Sequence, residues 1–159
     1  TKIGPANVLK DVYEDSSKVK FMSAVAHKDK IAQVKVIATE DIFSRILNEM
    51  EDRHINMDMI NFFTEKKAFA LDVSNLEEVE NILKQYDIEY EIKPDCAKVT
   101  LIGNKVTETP GVIAKIMRAL NAENVTLLQS SDSYNSLSCL VDEKDMVTTV
   151  HVIHNAFSV

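Results

Sequence analysis

The chain contains the same pattern of apolar and polar residues twice, and this internal repeat limits the folds it can adopt. The segments IAQVKVI (31–37) and CAKVTLI (96–102) align in register. An amphipathic helix is predicted after each segment, because apolar residues recur at the spacing of one buried helical face. These residues are Phe43, Ile46, Leu47 and Met50 in the first copy, and Ile113, Ile116, Met117 and Leu120 in the second. Self-similarity of this kind predicts two similar structural units.

Both copies continue with two strands and a second helix. The predicted strands are HINMDMINFF (54–63) and KAFALDV (67–73) in the first copy, and NVTLLQSSD (124–132) and SLSCLVD (136–142) in the second. The inward stripes of the second helices are Val79, Ile82, Leu83 and Tyr86, and Met146, Val150, Ile153 and Phe157. Ser74 or Asn75 is the predicted cap of the first of these helices. IEYEIKP (88–94) supplies a fourth strand to the first copy.

The order of these elements predicts an α+β fold. Two ferredoxin-like βαββαβ units, each an antiparallel sheet with helices on one face, fit the length of 159 residues. The second unit lacks its last strand, whereas VKFMSAVAH (19–27) is an apolar segment with no partner before the first unit. We expect this segment to pair into the second sheet, so that the first unit is inserted into the second.

Composition excludes several classes of function. The net charge is −7 and the acidic residues are spread along the chain, which disfavours nucleic-acid binding. No apolar run approaches the roughly 20 residues that a membrane span requires, and no signal peptide is visible. Cys96 and Cys139 stand alone, outside any C-x-x-C motif, so zinc and redox motifs are not predicted. Two small buried thiols in a reducing cytoplasm are expected.

The segment VTETPGVIAKIMRALNAENVTLLQ (106–129) places Thr109, Pro110 and Gly111 at the mouth of a predicted helix. Pro suits the first helical turn, Thr109 can cap the helix, and Gly111 allows close approach of a backbone or a ligand. A phosphate-binding loop is disfavoured, because no G-x-x-x-x-G-K-[ST] motif is present. A plain helix start and a small-molecule regulatory pocket both stay open.

Taken together, the segments resemble the carboxy-terminal regulatory region of aspartate kinase (aspartokinase), which contains two ACT domains. The likeness covers residues 18–157 and is carried by AVAHKDKIAQVKV, INMDMI, AKVTLIG, TPGVIAKIMRAL, LVDEKD and HNAF. The ACT domain is a small amino-acid-sensing module. The resemblance implies an inserted ACT domain at 30–94 and a second one formed by 18–29 and 95–159. Residues 1–17 would then be a linker from a kinase domain.

The resemblance also implies what this chain lacks. Nothing in the sequence matches the Lys-Phe-Gly-Gly-Thr-Ser nucleotide motif of the catalytic half, so no catalytic residue is expected and ATP and Mg²⁺ would bind only in a separate catalytic domain. An excised fragment and a separate small regulatory subunit both stay open. The implied partners are an aspartate kinase catalytic domain or subunit, a second copy of the chain, and an amino-acid effector. Lysine, threonine or diaminopimelate would provide feedback control of aspartate-family biosynthesis, lysine biosynthesis included.

The resemblance places the effector site mainly in the first unit. The implied residues are Thr39, Glu40, Asp41 and Ile42 in a loop, and Met57, Asp58, Met59, Ile60 and Asn61 on a strand. Asp58 would hold the ammonium group of the effector, although a solvent-facing charge is the alternative. The loop is acidic where the family often has Gly, which favours a ligand with a second ammonium group. The implied pocket edge or dimer interface of the second unit is Thr107, Glu108, Thr109, Pro110, Gly111, Val112, Gln129, Ser130, Ser131 and Asp132.

Two other functions compete with this interpretation. The first is a stand-alone ACT-type sensor or assembly module of another enzyme or regulator. The second is a ferredoxin-fold catalyst of the acylphosphatase type, which requires a loop arginine, whereas Arg45, Arg53 and Arg118 lie in or at the end of predicted helices. His151 and His154 could share a metal ion, but no third ligand has helical spacing to them, so no metal site is predicted.

Overall fold

The computed structural model describes residues 22–63, 65–104 and 110–157. They form six strands and four α-helices: β1 (Met22–Ile37), α1 (Glu40–Asp52), β2 (Asp58–Phe63), β3 (Lys66–Asp72), α2 (Leu76–Leu83), β4 (Glu89–Gly103), α3 (Val112–Ala122), β5 (Gln129–Ser133), β6 (Ser136–Asp142) and α4 (Met146–Phe157). The pairs β1/β3, β2/β3 and β5/β6 are antiparallel. The predicted α+β fold with two βαββαβ units is confirmed. In these ranges, no helix combines the length and the apolar character that a membrane crossing needs.

The chain divides into two compact units. Lys30–Cys96 forms the first, and the second contains, among the described residues, 22–29, 97–104 and 110–157. Since β1 and β4 extend across these boundaries, each supplies residues to both units. The expected linker, residues 1–17, lies outside the described residues, and the assignment of each unit as an ACT domain is taken up below.

The first unit has the strand order β2-β3-β1-β4, with α1 and α2 packed on the sheet. Alternate residues of the strands point toward the helices, as in a half-buried sheet. The core contains Val34, Val36, Phe69 and Leu71 from the strands, and Phe43, Ile46, Met50, Val79, Ile82 and Leu83 from the helices. Each of these side chains is at most 2% exposed, and such burial stabilises the unit by about 2 kcal/mol per large side chain.

The second unit has the strand order β1-β4-β6-β5. Its core contains Val25, Val99, Leu101, Ile116, Leu120, Val125, Leu137, Cys139, Val141 and Ile153. Val25 lies on the part of β1 that precedes the first unit. Burial raises the pKa of the Cys139 thiol to about 12, so this thiol stays protonated at neutral pH and behaves as a small apolar group.

The buried face of α3 differs from the prediction. Val112, Ile116 and Leu120 are buried, whereas Ile113 and Met117 are 43% and 40% exposed. The prediction is confirmed for Ile116 and Leu120 and wrong for Ile113 and Met117. The helix carries more apolar residues than one face can bury, so two overlapping sets of residues had helical spacing. The helix also begins at Val112, after Pro110 and Gly111, rather than at the proline.

Two strands begin later than predicted, for the same reason in both units. His54 and Asn124 follow α1 and α3 with left-handed backbone angles, φ +57° and +59°. The next amides, of Ile55 and Val125, then donate to Met50 and Leu120 in the preceding helix over 2.9 and 3.0 Å. Because these residues terminate the helices, β2 begins at Asp58 and β5 at Gln129.

Of the two predicted caps of α2, Asn75 occupies the cap position, but the side-chain capping bond comes earlier in the chain. The carboxylate of Asp72 accepts a hydrogen bond from the Ser74 amide over 2.9 Å and begins a short 3₁₀ helix, Val73–Asn75, which leads into α2. Asn75 makes no side-chain capping bond to α2. Asp142 does the same in the second unit by accepting from the Lys144 amide over 3.0 Å. A carboxylate at the end of a strand therefore starts the second helical segment of both units.

Candidate functional site

The loop between β1 and α1 contains the first group of predicted effector residues. Thr39 caps α1: its hydroxyl accepts from the Ile42 amide over 3.4 Å, and its carbonyl accepts from the Phe43 amide over 2.9 Å. Glu40 and Asp41 lie exposed in the first turn, where negative charge suits the positive end of the helix dipole. Asp41 pairs with Arg45 over 3.1 Å, but both side chains are solvated, so this pair contributes little stability. Ile42 is half-buried against the core.

Hydrogen bonds of Ala38 with Glu65, just before β3, and with Lys67, on β3, also fix the loop between β1 and α1. The Ala38 amide donates to the Glu65 carbonyl over 2.9 Å, and the Lys67 ammonium donates to the Ala38 carbonyl over 3.1 Å. Lys67 is only 2% exposed, and its ammonium lies 5.8 Å from the centre of the Phe43 ring. Sequence analysis missed Lys67. The available signal was a charged residue at an inward-facing position of the alternating segment KKAFALD.

The second group of predicted residues lies at the start of β2. The Asp58 side chain is exposed, and one of its carboxylate oxygens accepts from the Met59 amide over 2.8 Å. Met59 is 3% exposed and adopts a left-handed backbone angle, φ +53°. The pairing with β3 shifts by one residue between Asp58 and Asn61, which is a β-bulge. Met57, Ile60 and Asn61 are half-buried.

Strand register separates these two groups within one copy of the chain. Ile37 and Phe63 both lie opposite Lys66, so the loop after β1 is beside the end of β2. Asp58 lies opposite Ala70, four residues further along β3, or about 13 Å away at the usual rise per residue. The structure therefore places Thr39 to Ile42 and Asp58 at opposite ends of β2, and β2 is an edge strand.

Two grooves lie on the first unit. One, of 290 Å³, is beside the start of β2 and is lined by Leu47, Glu51, His54, Ile55, Asn56, Met57 and Ile60. Two predicted effector residues, Met57 and Ile60, are thus brought together with polar side chains at the end of α1. The other groove, of 670 Å³, is lined by Lys35, Val36, Ile37, Lys66, Ile88, Glu89, Tyr90 and Glu91, and contains none of the predicted site residues.

The predicted residues of the second unit lie at the start of α3 and on β5. Gly111 precedes the helix with φ +81°, and a side chain added there would meet nothing within 4 Å. Pro110 is exposed and Val112 is buried. Gln129 is 9% exposed, Ser130 and Ser131 are half-buried, and Asp132 is exposed on this edge strand. Thr107, Glu108 and Thr109 lie outside the described residues, and Gly111, rather than the predicted Thr109, occupies the cap position of α3.

Metal chemistry has no support in the described ranges. Within them, no group of three or more His, Cys, Asp or Glu side chains is arranged to hold a metal ion. His151 and His154 both lie on α4, where His151 is exposed and His154 half-buried. Among the described residues, the candidate site contains exposed carboxylates, helix-start amides and the buried ammonium group of Lys67.

The sequence is similar to the ACT domain family and to aspartokinases. Residues 91–155 match the model of the ACT domain family. Over 155 residues the chain is 28% identical to aspartokinase 1 of Bacillus subtilis (strain 168), covering 96% of this chain and 37% of that enzyme. The chain thus spans little more than a third of the curated relatives it matches.

Solved structures extend this likeness to the fold. A chain in the crystal structure of aspartokinase alpha and beta subunits superposes with a TM-score of 0.79 at 26% identity, covering 87% of this chain and 99% of that chain. The ligand-free regulatory subunit of aspartate kinase from Thermus thermophilus superposes with a TM-score of 0.78 at 23% identity, covering 86% and 99%. The chain therefore shares its fold with these two structures over 99% of each of their chains.

Proposed function

Because residues 91–155 match the ACT domain family and the chain resembles aspartokinases over most of its length, we propose that it is an allosteric regulatory portion of an aspartate kinase. The chain corresponds to the regulatory part of these enzymes and not to their catalytic core: it covers 37% of a whole aspartokinase but 99% of a regulatory subunit chain. ATP-dependent phosphorylation of aspartate would belong to a catalytic domain or subunit that this chain joins. The proposed domains are the inserted unit, 30–94, and the interrupted unit, 18–29 with 95–159.

The proposed ligand is an end-product amino acid of the aspartate family. Helix-start amides of α1 can receive its carboxylate, as anions commonly bind at helix N-termini. The exposed carboxylate of Asp58 can receive its ammonium group. Glu40 and Asp41 add negative charge beside the helix start, which favours lysine or diaminopimelate, with their second ammonium group, over threonine.

Two copies of the chain would complete this site. Asp58 and the loop after β1 lie at opposite ends of β2, so one copy does not bring them together. Since β2 is an edge strand, antiparallel pairing with β2 of a second copy would bring the start of one strand to the end of the other. Phe62, which is 60% exposed on this strand, supplies apolar surface for such a dimer.

Feedback control follows if the ligand binds one arrangement of the dimer better than another. Coupling of about 1–3 kcal/mol is typical of such regulation, and the kinase half would respond to the arrangement that the ligand favours. Gln129 to Asp132 and the start of α3 in the second unit would form the pocket edge or a further interface. The proposed location is the cytoplasm, where a reducing environment suits the two buried free thiols.

Isothermal titration with L-lysine, L-threonine, L-methionine and meso-diaminopimelate tests this proposal. We expect one of these to bind, and Asp58→Ala to weaken binding by at least about tenfold, because the ammonium group of the ligand loses its carboxylate partner. Asp87→Ala, at an exposed carboxylate that follows α2 and lies outside the predicted site, is the matched control and should bind normally. Absence of binding by every amino acid would contradict the proposal. Binding without any effect on an added catalytic domain would favour the stand-alone ACT-type sensor.

A further inference from the structure

We propose that Lys67 is a positioning residue for the effector loop and that it makes the first unit, rather than the second, the one that binds the effector. This inference rests on the proposed function and names a determinant within that site. Lys67 lies on β3 opposite Val36, on the side of the sheet that faces the helices. From there its ammonium reaches the Ala38 carbonyl, immediately before the residue that caps α1.

Burying the ammonium group of Lys67 costs solvation free energy, so a lysine at this position needs a physical explanation. A charged ammonium removed from water loses much solvation free energy unless hydrogen bonds and neighbouring electron density replace the water. Here the replacement comes from the Ala38 carbonyl at 3.1 Å and from the face of the Phe43 ring at 5.8 Å. An apolar side chain could fill the position without this loss of solvation free energy, and the second unit has a leucine, Leu137, at the equivalent position.

The internal repeat provides the comparison. KKAFALD (66–72) and SLSCLVD (136–142) are equivalent strands, and Leu137, which is 8% exposed, stands where Lys67 stands. Both units share the backbone bond that anchors the loop: Ala38 to Glu65 in the first and Gly103 to Asn135 in the second, each 2.9 Å. A leucine has no group that can donate to the loop carbonyl. The first unit therefore adds a charge-assisted bond to an anchor that both units possess.

This bond acts on the part of the site that would receive the carboxylate of the ligand. Fixing the Ala38 carbonyl fixes the peptide that leads into Thr39, and with it the direction of the first amides of α1. A loop that is already held in shape loses less conformational freedom when a ligand binds, so affinity rises. The buried positive charge also reinforces the positive end of the helix dipole beside that loop.

Hydrogen exchange on the ligand-free chain tests the positioning role directly. In Lys67→Met, which keeps the length of the side chain but removes its charge, we expect the amides of Ile42 and Phe43, which are hydrogen-bonded to Thr39, to exchange about tenfold faster. Lys67→Leu introduces the residue of the second unit and serves as the second variant if Lys67→Met folds poorly. Leu137→Met, at the equivalent position, is the matched control and should leave these amides unchanged.

Titration of the same variants with the amino acid that the unmodified chain binds tests the consequence. We expect about tenfold weaker binding by both Lys67 variants and unchanged binding by Leu137→Met. Unchanged exchange at Ile42 and Phe43 would overturn the inference whatever the titrations gave. Faster exchange with unchanged affinity would also overturn it, because Lys67 would then serve the fold alone. If the unmodified chain bound no amino acid, the proposed function would fail, while the exchange data would still decide whether Lys67 holds the loop.

Discussion

The hydroxyl of Tyr86 donates a hydrogen bond to the carboxylate of Glu49. Glu49 lies near the end of α1 and Tyr86 follows α2, so this bond joins the two helices that cover the first sheet. A second link nearby, Arg53 with Glu78 at 3.7 Å, is solvated and contributes little. The bond to Glu49 raises the pKa of Tyr86 above its ordinary value, and burial and the negative charge of Glu49 act in the same direction.

Tyr86→Phe should therefore lower the free energy of unfolding by about 1 kcal/mol at neutral pH. The pKa of Tyr86 is higher in the folded chain, so its contribution is fully present below the ordinary tyrosine value of 10.0 and is lost as the pH rises through the raised value. Urea unfolding should show a constant difference in the free energy of unfolding between the two proteins below pH 10.0, and a difference that shrinks as the pH rises above 10.0. Tyr134→Phe, at a 65% exposed ring, is the control and should leave the free energy of unfolding unchanged at every pH. Equal stability at neutral pH would show that the bond contributes nothing.

Gly111→Ala should destabilise the chain by about 1 kcal/mol, and Gly111→Asn by less. The reason is backbone conformation alone, because Gly111 has φ +81° and an added Cβ would meet nothing within 4 Å. Urea unfolding of the two variants would measure both effects. An alanine variant as stable as the unmodified chain would contradict the left-handed conformation, and a variant that failed to fold would reveal a steric neighbour.

The sequence predicted the architecture because the repeat carried most of the information. Two copies of the same order of strands and helices imply two similar units. The partnerless segment 19–27 predicted the remaining strand of the second unit, and the described part of it, residues 22–27, lies in β1. Local apolar spacing was sufficient for α1, where Phe43, Ile46 and Met50 form one buried face. It was ambiguous for α3, where Val112 and Ile113 are adjacent apolar residues and only tertiary packing decides which is buried.

The features of the candidate site that were missed depend on contacts between distant residues. Lys67 alternates with Phe69 and Leu71 and so lies on the inward face of β3. Its contact with the Ala38 carbonyl, however, depends on the pairing of β3 with β1, which the local pattern does not specify. No Gly or Pro in the sequence indicates the bulge at Met59. Its backbone conformation is supported instead by the hydrogen bond from the Met59 amide to the Asp58 carboxylate and by pairing with β3. The separation of Asp58 from Thr39 follows from strand register, which a family resemblance does not specify.

Phe62→Glu should prevent self-association of the chain through β2. Phe62 is 60% exposed on an edge strand, with its ring 5.6 Å from the ring of Phe43, and a carboxylate there would bury charge at the proposed interface. Tyr134→Glu introduces the same charge at a 65% exposed ring in the turn between β5 and β6, so it controls for charge alone. Sedimentation equilibrium should give a dimer for the unmodified chain and for Tyr134→Glu, and a monomer for Phe62→Glu. Since the proposed site needs both copies, Phe62→Glu should also lose amino-acid binding in titrations. A dimer that persisted in Phe62→Glu would place the interface elsewhere, and binding by a monomer would show that one copy is sufficient.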